Sequence, residues 1–410
     1  MHTITPRTIA NQVQELSLCF PCVMLTGARQ VGKSTLLRSL MPQGMNYINL
    51  DDYRAVTEAK QDPIGFLENH GTPLCIDEIQ YAPELLRAIK LKVDERPEDM
   101  GLYWLTGSQR FHMMKGVTES LAGRVGILDL STYSQYEAMG IGTGVAPFSP
   151  DVVAMRSRVE TAPVCTLPTL YRRIWLGGYP ALLGRKHMTP DTYFPSYLQT
   201  YLERDVAALS QVGNLSAFHM LMQSAAARTG QQIVYSDIAR DAGISVNTAR
   251  QWISILETCG IVHLLQPYHV NTTKRLAKSP KLYFMDTGLA CWLGGWNSPD
   301  VLQNGAMAGA MLETWVYGQL VRGFQNAGKS LRLSYYRTGS GAEIDFLIEQ
   351  NGCIYPLEVK RSSSPTLSDL RAAWDIPSGL AELKPGIVLC TSPEFFSLGR
   401  GCYAFPISAL

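Results

Sequence analysis

Residues 27–34, Gly27-Ala28-Arg29-Gln30-Val31-Gly32-Lys33-Ser34, satisfy G-x-x-x-x-G-K-[ST] at every fixed position. The apolar run Val23-Met24-Leu25 precedes them and Thr35-Leu36-Leu37-Arg38-Ser39-Leu40 follows, which predicts strand, loop and helix in that order. Such a loop turns consecutive backbone N–H groups inward around a phosphate, and the helix N-terminus adds partial positive charge. Lys33 would reach the β- and γ-phosphates and Ser34 would hold Mg²⁺, so Gly27, Ala28, Arg29, Gln30, Val31, Gly32, Lys33, Ser34 and Thr35 form the expected binding loop for a nucleoside triphosphate.

The loop demands a parallel α/β sheet, and 410 residues allow two or three domains around it. A formal net charge of +1 excludes a globally basic nucleic-acid binder, so any such contact needs a local patch. Nine cysteines lie scattered in apolar stretches, the pattern of a reduced cytoplasmic protein. Cys19-Phe20-Pro21-Cys22 has no second pair to make a zinc site and reads as structure. No apolar run approaches the ~20 residues that span a bilayer, so no membrane partner is expected.

Pro73-Leu74-Cys75-Ile76-Asp77-Glu78 is a buried-type strand ending in two carboxylates. Ligands of open α/β sheets sit at that end of the strands. Asp77 is placed to bind Mg²⁺ through its water shell and Glu78 to polarise the attacking water. The next strand, Leu102 to Thr106, runs into Gly107-Ser108-Gln109, where Ser108, or after it Gln109, would orient water or sense the γ-phosphate. Arg124 ends Leu121-Ala122-Gly123-Arg124, just before another apolar strand; on local grounds it is equally a surface arginine at a helix end.

Together, the loop, the strand ending in Asp77-Glu78, Thr106-Gly107-Ser108 and Leu121–Arg124 resemble prokaryotic ATPases of the AAA superfamily whose relatives carry a C-terminal domain of unknown function (4143 type). The resemblance implies ATP rather than GTP, a homo-oligomer such as a hexameric ring, and Arg124 as a finger acting between subunits.

The domain boundaries read as a P-loop ATPase over 1–140, a linker and helical connector over 141–215, a winged helix-turn-helix over 216–300 and a nuclease-like module over 301–410. Residues 142–168 read as a linker or long loop. The triplet Glu203-Arg204-Asp205 reads as the solvated face of a helix. Ser236 is the expected N-cap of a first helix and Ser245 of a second, which presents Asn247, Thr248, Arg250 and Gln251. Lys274, Arg275, Lys278 and Lys281 fall where a wing would contact DNA phosphates.

In the last module a helical Glu313 is followed by Asp345 on one hairpin strand and Glu358-Val359-Lys360 on the other, joined by an Asn351-Gly352 turn. Glu358 and Lys360 share a strand face, and Asp345 comes alongside them. Three carboxylates and a lysine suit Mg²⁺-assisted phosphodiester cleavage. They also suit a solvated ion pair. The order of helical Glu, hairpin Asp and E-x-K resembles the restriction-endonuclease-like nucleases.

The expected fold is therefore multidomain α/β: an AAA-type P-loop NTPase, a helical connector with winged helix-turn-helix, and a restriction-endonuclease-like domain. Three functions stay open: an ATPase acting on duplex or branched DNA, a nucleotide-dependent switch with protein partners, and an ATP-gated nuclease.

Overall fold

The computed structural model describes residues 5–107, 120–202, 214–269, 279–377, 379 and 381–410. The first domain is built on five parallel strands: β1 (Cys22–Thr26), β2 (Asn46–Asn49), β3 (Leu74–Asp77), β4 (Tyr103–Thr106) and β5 (Val125–Asp129), in the spatial order β2-β3-β4-β1-β5. β1, β3 and β4 are buried along their whole length, as their unbroken apolar runs require of strands covered on both faces. Alternation along β1 divides its side chains: Val23 and Leu25 join one core, Cys22 and Met24 the other. Because β4 lies between β1 and β3, its C-terminal end falls between the phosphate loop and the acidic pair.

The helix Lys33–Leu40 follows the loop directly, with Gly32 (φ 96°) at its N-cap. The stretch read as linker contains a helix, Val152–Thr161, whose start Asp151 caps through the Ala154 N–H. The flanking Pro, Gly and Ser residues hid it.

The middle region holds the helices Leu215–Ala226, Tyr235–Ala242 and Val246–Thr258, with Gly243 left-handed (φ 65°) between the last two. Ser245 caps the third helix through the Thr248 N–H at 3.0 Å. Ser236 does not cap: the preceding helix begins at Tyr235, with Val234 at its N-cap and no side-chain cap bond. Strands β6 (Gln231–Gln232), β7 (Val262–Leu265) and β8 (Lys281–Phe284) form an antiparallel sheet ordered β6-β8-β7. Of the expected wing cations, Lys274, Arg275 and Lys278 lie outside the described residues, as does the triplet 203–205.

The last module is a mixed sheet packed on the long helix Ala308–Asn326. Its strands are β9 (Arg332–Arg337), β10 (Glu343–Gln350), β11 (Cys353–Lys360), β12 (Glu382–Leu383), β13 (Ile387–Cys390), β14 (Phe396–Gly399) and β15 (Cys402–Pro406). β10 and β11 form the expected hairpin, turning at Asn351 (φ 52°) and Gly352 (φ 73°). Among the described residues no helix is long and apolar enough to cross a membrane.

Candidate functional site

The first centre lies where β1, β3, β4 and β5 all end. Gly27 has φ 137°, and a Cβ there would lie 2.2 Å from the Leu130 carbonyl oxygen, so the loop can pass β5 only as glycine. Lys33 is buried, and its Nζ donates to the Gly27 and Ala28 carbonyls at 3.0 Å each. Burial pulls its pKa down to about 8, against the opposing pull of Glu78 and Asp77. A buried ammonium that, among the described residues, bonds two loop carbonyls and faces carboxylates is a cradle for an anion. The residues thus fit a triphosphate with its Mg²⁺.

Asp77 ends β3 with both carboxylate oxygens engaged. One accepts from Thr106 Oγ1 at the end of β4, the other from the Tyr47 hydroxyl at 2.6 Å. Glu78, left-handed at φ 59°, donates its N–H to Thr106 Oγ1 at 3.0 Å, and Gln80 Nε2 donates to its carboxylate. Thr106 therefore ties the two acidic residues together. The sequence points to Ser108, or after it Gln109, just beyond β4; both lie outside the described residues, and Thr106, the last residue of β4, is a polar residue that it does not single out. Ser34 and Asp77 are the residues that would hold Mg²⁺, which when bound neutralises charge on the phosphates. Glu78 would supply the base for water, and Lys33 the cation for phosphate oxygens.

A residue from outside the motif steadies the loop. Arg7, buried in the arm before the helix Ala10–Cys19, donates to Val31 O at 2.8 Å and Ser131 O at 2.7 Å and pairs with Glu137 at 3.0 Å. Glu137 belongs to the short helix Gln135–Ala138, where Ser134 and Glu137 form a capping box. The same helix meets the end of the last module: Gln135 Nε2 donates to Leu410 O at 2.7 Å and the Tyr136 hydroxyl to Ala409 O at 3.1 Å. No local pattern marks Arg7 in the sequence. Beside it, Pro6, Gly32, Thr35, Leu36, Tyr133 and Pro180 line a cavity of about 230 Å³.

Arg124 makes two bonds to Asp94 within its own chain, at 2.5 and 3.1 Å, and both side chains are partly exposed. Cys19 and Cys22 are free, and burial pushes the Cys22 thiol up to about 12.

The second centre gathers Glu313, Asp345, Glu358 and Lys360, as the sequence order anticipated. Asp345 Oδ2 accepts from the Val359 N–H at 2.9 Å, the Asp345 N–H reaches Glu358 Oε2 at 3.3 Å, and Lys360 Nζ lies 2.5 Å from Glu358 Oε1. A fifth residue changes the site. Lys281, expected on a solvent-facing wing, is buried in β8, with Nζ 2.9 Å from Glu313 Oε1, 3.5 Å from Asp345 Oδ1 and paired with Glu343. Alternation in β8 turns Lys281 and Tyr283 the same way, and the Tyr283 hydroxyl also donates to Glu313, at 2.5 Å. Burial raises the pKa of Glu313 and Glu358, and the Asp345 charge raises both further. Among the described residues, no group of three or more His, Cys, Asp or Glu is arranged to hold a metal ion. As folded, this cluster does not fit a divalent ion.

Comparisons with known proteins find family matches at both ends of the chain. The AAA domain family matches residues 20–139, and the domain of unknown function DUF4143 matches residues 308–410. The chain joins an AAA domain to a DUF4143 domain. Between them, residues 167–300 match another domain of unknown function, DUF8612. The AAA match supports a nucleotide-hydrolysing function for the chain. Uncharacterized proteins of Mycobacterium bovis and Mycobacterium tuberculosis are each 29% identical over 351 residues, covering 85% of this chain and 72% of theirs. Among solved structures, the Walker-type ATPase paby2304 of Pyrococcus abyssi aligns at TM-score 0.43 and 16% identity, over 71% of this chain and 96% of that one. A RuvB variant of Thermotoga maritima aligns at TM-score 0.30 and 15% identity, over 62% and 86%. Likenesses this loose transfer nothing to the present chain.

Proposed function

We propose that this protein binds ATP with Mg²⁺ at Lys33, Ser34, Asp77 and Glu78 and couples its hydrolysis to binding or remodelling of DNA, duplex or branched. The observation that carries the DNA half of the reading is the helix Val246–Thr258. It buries Ala249, Trp252, Ile253 and Leu256 while leaving Asn247, Arg250 and Gln251 exposed. A helix following a tight glycine turn, with one face anchored and a polar face free, has the form that enters a major groove. Arg250 is stacked over the Tyr235 ring at 4.2 Å, which holds its cation in place. Adenine takes the cavity between Pro6, Leu36, Tyr133 and Pro180, whose apolar walls suit a planar base.

The chain works as a homo-oligomer in this reading, and Arg124 is the residue that reaches a neighbour's γ-phosphate. Its bond to Asp94 is at the surface, where exchanging an ion pair costs little. Free thiols throughout the chain suit a reducing, cytoplasmic setting.

A second reading, a nucleotide-dependent switch with protein partners, draws support from a different contact. The phosphate-loop residues Gly27, Ala28 and Val31 line one small cavity together with Gly260, Ile261 and Asp286 of the middle region. A change in the loop would be felt there directly. ATP turnover measured with no DNA, and with single-stranded, duplex and four-way-junction DNA, separates the two readings. Stimulation by one form that is lost in Arg250→Ala/Gln251→Ala supports the DNA reading. An equal rate in all four conditions rejects it in favour of the switch.

A further inference from the structure

We propose that Lys281 is the resident cation of the carboxylate cluster in the last module, filling the place a divalent ion would need, so that this nuclease-like site is a metal-excluding ion-pair centre. The inference stands apart from the DNA reading and from the nucleotide site.

The lysine and the carboxylates come from different parts of the chain. Glu313 lies on the helix Ala308–Asn326, and Glu343 and Asp345 lie on β10, all within the last module. Lys281 lies outside that module, on β8 of the middle region. Its backbone is fixed by the antiparallel ladder, opposite Gln232 of β6 and Leu265 of β7. From that position its side chain runs over the Tyr335 ring, 5.6 Å from the ring centre, and ends among three carboxylates with 3% of its surface exposed.

A divalent ion in such a cluster needs carboxylate oxygens free to converge on it. Here Asp345 shares its oxygens between Lys281 and the Val359 N–H, Glu358 between Lys360 and the Asp345 N–H, and Glu313 accepts from both Lys281 and Tyr283. A metal entering beside Glu313 and Asp345 would meet the Lys281 ammonium at close range and be repelled by it. The E-x-K lysine is likewise committed, its ammonium lying on the Glu358 carboxylate. The residue types of a nuclease site are present, and their donors are spent on one another.

The test counts Mn²⁺ bound by the nucleotide-free full chain, by electron paramagnetic resonance, in wild type, Lys281→Gln, Lys281→Arg and the double variant Lys281→Gln/Asp345→Asn. Wild type and Lys281→Arg are expected to bind no Mn²⁺ that depends on Asp345. Lys281→Gln should gain a site at least tenfold tighter than any in wild type, lost again in the double variant. Mn²⁺ bound by wild type and removed by Asp345→Asn alone would overturn the proposal, as would a folded Lys281→Gln that gains no site. Should Lys281→Gln fold poorly, Mn²⁺ is expected to raise its thermal midpoint while leaving that of wild type unchanged. Equal shifts, or none in either protein, count against it.

Discussion

Two centres in this molecule use the same materials, carboxylates at strand ends and a buried lysine, and arrange them to opposite ends. At the first, Lys33 rests on the carbonyls of its own loop, and its burial costs enough to lower its pKa to about 8. Among the described residues its hydrogen bonds go to carbonyls, and Asp77 and Glu78 act on it only through space, so a phosphate can take their place. At the second, three carboxylates surround Lys281, and although burial works against its charge, they raise its pKa overall. The first lysine is poised for a ligand; the second has its ligands already. Whether a buried lysine serves chemistry or architecture therefore depends on which groups fill its hydrogen bonds, which its burial alone does not reveal.

The largest expected contrast is in turnover. Lys33→Ala should lower ATP hydrolysis at least ~100-fold by removing a cation that stabilises transition-state charge. Lys360→Met, in the second centre, should leave it unchanged. Equal losses would mean that the two centres work as one. Glu78→Gln should slow hydrolysis by about 10²-fold while fluorescent ATP still binds, the split expected of a lost base; weakened binding with normal turnover would place Glu78 elsewhere.

Stability sharpens the comparison in the reverse direction. Lys281→Met leaves Glu313 and Asp345 without the ammonium that bonds them, and Glu343 with Arg337 alone, and should cost about 3–5 kcal/mol in denaturant unfolding. Lys33→Met removes a charge that the fold strains to bury and should cost far less. If Lys33→Met proves the more damaging, the contrast fails. A smaller effect is expected at Arg7→Ala, which leaves buried Glu137 unpaired and frees Val31 O: roughly 1–3 kcal/mol of stability, with a several-fold slower turnover. Tyr47→Phe removes one of the two side-chain hydrogen bonds to the Asp77 carboxylate, leaving that from Thr106, and should change turnover by only a few-fold.

The first centre was legible because its chemistry is contiguous. Gly27 to Ser34 and Asp77-Glu78 each sit in a single local element, and a strand ending at a carboxylate needs no tertiary information to be recognised. Thr106 escaped notice because its role depends on β4 lying beside β3, where its hydroxyl meets Asp77 and the Glu78 N–H. The hairpin of β10 and β11 could be read from Asn351-Gly352 and the alternation around it. Lys281 could not. In the sequence it is one of several basic residues after a strand, and only the ladder of β8 with β6 and β7 turns it inward. Arg7 acts across more than a hundred residues on Ser131 and Glu137, a distance that no local pattern reports.

The most direct test of this contrast is the number of Mn²⁺ ions bound per chain in the presence of a slowly hydrolysed ATP analogue. One ion per chain, absent without nucleotide, lost in Lys33→Ala and retained in Asp345→Asn, is the predicted result. A second ion that persists without nucleotide and disappears in Asp345→Asn would contradict it.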